Sequence, residues 1–213
     1  MDIMENKSTI KNHHYKLIIF ITYFVQGCVS YLIFFILSLY LNVTIDLDPV
    51  IIGLYAGATF IPYTLKIFIG PLMDKIKIPI IGGRLKPYII IGGVINAIFL
   101  IPLGLDPTSF LIIYFFCWMI QNIGYVFLDV AVDILIINDK RNRNTTTSSI
   151  ISILGLTLGQ TLIGILSTTP LFDKYMFYGF FMVGMISLTV VFFGFFFKEK
   201  EECQDLLQAL FKK

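Results

Sequence analysis

The stretch YVFLDVAVDILIINDKRNRN, residues 125–144, sets two aspartates four apart in an apolar run and closes it with three cations in four positions. On a helix, residues four apart lie on one side, one above the other. Asp129 and Asp133 therefore share a face, and Gln121 and Tyr125 extend that stripe upstream. The cations that follow, Lys140, Arg141 and Arg143, read as the point where a membrane helix meets the cytoplasmic surface.

The rest of the chain agrees with a membrane setting. Of 213 residues, 57% are hydrophobic and 14% charged, with 21 Phe; mean hydropathy is +0.84. A soluble domain averages about a quarter charged residues and under half apolar. Six stretches are long and apolar enough to cross a bilayer: 17–41, 50–73, 88–105, 109–138, 148–168 and 175–197. Short alternating strands of a β-barrel are not what this pattern describes. The expected organisation is a cytoplasmic segment 1–16, a six-helix transmembrane domain 17–197 and a cytoplasmic tail 198–213. All but Lys66 and Lys174 of the 16 Lys and Arg fall in the N-terminal segment, the two loops after spans 2 and 4, and the tail. The opposite loops hold Asp46, Asp48, Asp106 and Asp173 beside the single Lys174. That asymmetry predicts a multi-pass cell-membrane protein with both termini cytoplasmic. The net charge of +2 comes from membrane-flanking loops and does not point to nucleic acid. The three cysteines make no pair or metal spacing. His13 and His14 lie outside the bilayer, and no nucleophile–base pattern appears, so neither an enzyme nor a resident cofactor is expected.

Read at helical spacing, the spans differ in polarity. Span 1 collects Tyr23, Gln26, Gly27, Ser30 and Tyr31; span 2 offers Thr59, Tyr63, Lys66 and Gly70; span 4 carries the aspartate stripe; span 5 carries Ser148, Ser152, Gly155, Gly159 and Gln160. Spans 3 and 6 are nearly bare, so the expectation is that 1, 2, 4 and 5 surround something polar while 3 and 6 face lipid. An ionisable side chain deep in a span costs at least about 3 kcal/mol on insertion scales, so it usually has a partner. Lys66 and Asp129 both lie about 12 Å inside the cytoplasmic edge at about 1.5 Å rise per residue, which makes an ion pair between them geometrically possible. Asp133, one turn nearer the cytoplasm, is matched with loop cations such as Arg84 or Arg141. Gly155 and Gly159, with Ser152, form the small-residue face on which one helix closely approaches another.

These residues resemble the N-terminal half of a major facilitator superfamily transporter. GPLMDKIKIPIIGGRLKP (70–87) is similar to that superfamily's loop between helices 2 and 3, through Gly70, Asp74, Lys75, Gly83, Arg84 and Lys86. LDVAVD (128–133), PYTLK (62–66) and YFVQG (23–27) resemble the folate–biopterin, muropeptide-permease and acetyl-CoA transporter branches. RLKPYIIIGG (84–93), with YVFLDV and DKRNRN, is similar to the glycoside–pentoside–hexuronide symporters. The resemblance implies an all-α membrane fold of six helices, half of a twelve-helix transporter with its site between two halves. It also implies a half-size secondary transporter of a small organic solute, working by alternating access with a second copy in parallel or with a complementary half-chain. Substrate or coupling contacts then fall to Asp129, Lys66, Gln26, Tyr23, Gln121 and Tyr125. Gating falls to Asp74, Lys75, Arg84, Lys86, Asp133 and Arg141, and pairing to Ser152, Gly155 and Gly159. Span 2 has Lys66 and Gly70 where the sugar symporters carry acidic cation ligands, so H+ is favoured over Na+ as a coupling ion. An oligomeric channel and a non-transporting membrane scaffold are the alternatives from other classes.

Overall fold

The computed structural model describes residues 2–76, 83–108, 110–140, 145–169 and 176–197. All regular structure among them is helical. Six helical spans are long and apolar enough to cross a membrane: Tyr15–Thr44, Pro49–Met73, Lys86–Gly104, Leu111–Ile137, Thr146–Leu166 and Met176–Phe196. The architecture is that of an all-α multi-pass membrane protein, with ends within a few residues of those read from hydropathy.

Glycines decide how the spans pack. In lipid, apolar side chains gain little by leaving their surroundings, so helix association depends on close backbone approach. Spans 1 and 5 cross at such a contact. A Cβ added to Gly159 would lie 2.1 Å from the Phe24 carbonyl oxygen, one on Gly27 2.2 Å from that of Leu156, and one on Gly155 2.7 Å from that of Phe20. Spans 3 and 4 cross where a Cβ on Gly124 would meet the Asn96 nitrogen at 2.7 Å and one on Gly92 the Gly124 oxygen at 2.8 Å. Gly93 and Gly184 serve the crossing of spans 3 and 6, against Val191 and the Ala97 carbonyl.

This packing corrects the expectation that span 3 faces lipid. The most apolar stretch of span 3 is 61% buried, as much as that of span 1, while spans 2 and 5 are only 17% and 22% buried. Span 3 sits between spans 4 and 6, and its Asn96 and the Ser187 of span 6 are fully buried. Scarcity of polar residues marked span 3 as bare, but its glycines make it central. Gly155 and Gly159 are corrected in the same way: they lie against the chain's own span 1 and are not presented to a partner. Ser152 is buried with them and donates to the Ser149 carbonyl at 2.8 Å.

Two spans are irregular. Span 1 passes from α-helix (Asp2–Tyr31) into π-helical turns at Leu32–Leu37 and Tyr40–Thr44. Span 2 is broken into Pro49–Thr59, Ile61–Thr64 and Lys66–Lys75. Its start is capped by the Asp48 carboxylate, which accepts from the Val50 amide at 2.8 Å. The breaks follow from Pro62, which lacks an N–H and shortens the neighbouring ladder. The Tyr63 amide bonds to the Phe60 oxygen at 2.9 Å, one residue short of the α-helical partner.

Candidate functional site

That shortened ladder frees the Thr59 carbonyl at membrane depth, where an unmatched backbone group is costly. Asn122 of span 4 fills it, its Nδ2 donating at 3.0 Å. The break thus fixes span 2 against span 4 and sets the register of the residues below it.

About two turns beyond Thr59, Lys66 opens the last segment of span 2 and meets both aspartates of the opening stretch. Its Nζ lies 2.6 Å from Oδ2 of Asp129 and 2.6 Å from Oδ2 of Asp133. The i, i+4 spacing on span 4 is what lets one ammonium bridge two carboxylates. From span 1, the Tyr23 hydroxyl donates to the other oxygen of Asp133 at 2.6 Å. Three spans are therefore tied by four side chains through short, charge-assisted hydrogen bonds. The side chain of Asp129 is 9% exposed, against 36% for Asp133 and 30% for Lys66. The Lys66 ammonium also stands 5.7 Å above the Tyr63 ring, within cation–π range.

Next to this cluster, spans 1, 2 and 4 line a part-open cavity of about 180 Å³. Phe34, Phe60, Tyr63 and Tyr125 supply aromatic walls; Ser30, Gln121 and Asn122 supply polar groups. The rings of Phe34 and Phe60 stack at 5.1 Å, and those of Tyr63 and Tyr125 lie 6.4 Å apart between the cavity and the ion pair. Gln121 is fully buried, yet neither its Nε2 nor its Oε1 has a hydrogen-bond partner. A buried amide with both ends unsatisfied, lining a cavity, is poised for a polar ligand or for water.

This geometry agrees with a match over residues 9–209 to the BT1 family. The chain belongs to the BT1 family. Two Rickettsia proteins named "Putative transporter AmpG 4" are similar to it: that of Rickettsia felis is 29% identical over 150 residues, and that of Rickettsia conorii 28% over 149. Each match covers 68% of this chain and 36% of the relative. The "Probable folate-biopterin transporter 4" of Arabidopsis thaliana is 31% identical over 119 residues, which is 54% of this chain and 23% of that protein. The chain thus spans about a third or less of the length of these BT1-like relatives. No solved structure matches it.

The structure brings together five of the six residues read as substrate or coupling contacts: Tyr23, Lys66 and Asp129 in the cluster, Gln121 and Tyr125 at the cavity. The sixth, Gln26, is buried on span 1, and its Nε2 has no hydrogen-bond partner. Among the described residues, Asp133 meets Lys66 and Tyr23 and not the expected Arg84; Arg141 lies outside them. Lys86, expected at a gate, caps the end of span 6 through the Phe195 carbonyl at 2.6 Å. Lys75 is exposed and Arg84 is partly buried; the Asp74 side chain and Arg141 lie outside the described residues. Sequence reading missed Asn122 as the group that satisfies the broken span. Pro62 was the available signal, because a proline within a span frees a carbonyl that some neighbour must bond.

Proposed function

We propose that this BT1-family chain is a transporter unit that moves a small organic solute by alternating access. In this reading it forms one six-helix side of a major-facilitator-type carrier, with both termini cytoplasmic. The second side is a parallel second copy or a complementary half-chain. The observation that carries the reading is the Lys66–Asp129–Asp133–Tyr23 cluster beside an aromatic cavity with an unsatisfied buried amide. Ionisable groups at that depth are costly and by default carry a function, and a clasp among three spans can be opened by a change of one charge. H+ is the favoured coupling ion, with Asp129 as the coupling residue and Asp133 as its more exposed gate-side partner.

The weak burial of spans 2 and 5 supports a second unit docking on them. The Arabidopsis relative's name makes folate- or biopterin-like solutes the first to try. Four aromatic walls and two carboxamides suit a flat ring with hydrogen-bonding edges.

Uptake in proteoliposomes under an imposed proton gradient tests the reading. Asp129→Asn should stop or uncouple gradient-driven uptake while the protein still folds and associates, and Asp133→Asn should be milder and mainly kinetic. If the double variant Asp129→Asn with Lys66→Met restores both stability and coupled uptake, the pair is scaffolding and the coupling role fails.

A further inference from the structure

The charges of the central cluster do not balance. Among the described residues two carboxylates face one ammonium, so with every group ionised one negative charge is left over among apolar spans. An uncompensated charge at that depth is unfavourable, and the smallest species that removes it is a proton.

The two carboxylates are not equivalent receivers. Asp133 is held on both oxygens, by Tyr23 on Oδ1 and Lys66 on Oδ2, so a proton there has to displace a donor. Lys66 meets Asp129 on Oδ2, which leaves Oδ1 for a proton. Gln26 of span 1 is buried, and its Nε2 has no hydrogen-bond partner. A carboxamide donates to a carboxylate and, turned over, accepts from a carboxylic acid, so Gln26 can serve either charge state. Among the described residues, the titratable groups that face Asp129 are Tyr23 from span 1, Lys66 and Tyr63 from span 2, and Tyr125 and Asp133 from span 4.

We propose that the cluster stores one proton, that Asp129 holds it, and that Tyr23 is the positioning residue that keeps it off Asp133. Loading forms an O–H bond at Asp129 with a proton delivered by water. Lys66 then stays paired with Asp133 and the site is neutral; unloading reverses the step, and no electrons are exchanged. The proposal rests on reading Asp129 as the coupling residue, but it concerns the protein without any solute.

Infrared spectroscopy of the purified protein in lipid, at neutral pH and compared in H2O and D2O, counts the protonated carboxyls. Wild type should show one. Lys66→Met leaves two carboxylates without a cation and should show two; Asp129→Asn leaves a neutral Lys66–Asp133 pair and should show none. Tyr23→Phe should keep the count at one but split the carbonyl band, as the proton spreads onto Asp133. An equal count in wild type and Lys66→Met, or no protonated carboxyl in wild type, would overturn the proposal. An unsplit band in Tyr23→Phe would remove Tyr23's part. Because one variant raises the signal and another lowers it, a collapsed fold cannot imitate the set. Expected counts without uptake of any solute would sink the transport reading and leave the proton site; coupled uptake with the wrong counts would do the reverse.

Discussion

At the residue scale, Asp129, Asp133 and Lys66 were legible because each is an ionisable group in a stretch with almost none. Scarcity made them conspicuous, and the rise of a helix gave their depth. Their connectivity was only half legible. Equal depth suggested the Lys66–Asp129 pair, but depth alone set Asp133 beside the loop, whereas the bend of span 2 brings Lys66 onto both. The bond from Tyr23 to Asp133 was not legible, since nothing in a sequence says where a phenol points. Asn122 carried no sign in the sequence of the carbonyl that it bonds. Its task yields a prediction. Asn122→Leu keeps the branched shape but leaves the Thr59 carbonyl without its donor, which should cost about 1–3 kcal/mol for an unsatisfied buried acceptor. Thermal unfolding in mild detergent should show the loss. An unchanged transition would mean that another group, or water, satisfies the carbonyl.

At the element scale, hydropathy placed all six spans, because the length of an apolar run is fixed by the thickness of the bilayer. Which span touches which was not written in polarity. It was written in glycine, and glycine reads the same whether its neighbour is in the same chain or another. Gly155 and Gly159 illustrate the ambiguity: the Gly-x3-Gly spacing correctly marked a close helix crossing, and only the structure gives the other helix as span 1. A side chain at Gly159 would need space already occupied by the Phe24 carbonyl and the Cys28 amide, both backbone groups that cannot swing aside. Gly159→Leu should therefore cost about 3 kcal/mol or more, at the upper end of overpacking penalties. Leu158→Ala, on the exposed face of the same helix, should change little. The comparison is read from the temperature at which each detergent-solubilised variant loses its monodisperse elution peak; equal temperatures would refute the crossing. The π-helical turns of span 1 had no sequence signal that we can identify.

At the scale of the whole molecule, the exposed faces of spans 2 and 5 are where a second unit would bind, and span 2 carries its own Gly-x3-Gly. A Cβ at Gly53 or Gly57 would meet nothing within 4 Å, and Val50, Leu54 and Ile61 around them are exposed. Close-approach glycines with no helix on them contrast with those of span 5, whose glycines are covered by span 1. Span 5 presents instead Thr157 and Thr161, small side chains on its outer face, beside an open groove against Tyr31 and Phe35. If two copies associate in parallel through these surfaces, substitution at the span 2 glycines should separate them without unfolding either. Gly53→Leu with Gly57→Leu should keep the wild-type melting temperature and shift the mass of the purified species from two copies towards one. Gly159→Leu should lower the melting temperature first. Single cysteines placed near Asp106 and near Arg84 and labelled in intact cells should react from outside only near Asp106, as two parallel units with cytoplasmic termini require. A wild-type protein of one copy in mild detergent and in bilayers, without a partner chain, would defeat the assembly. So would a Gly53, Gly57 double variant that associates as well as wild type, because the close helix approach it blocks is the attraction that the interface needs.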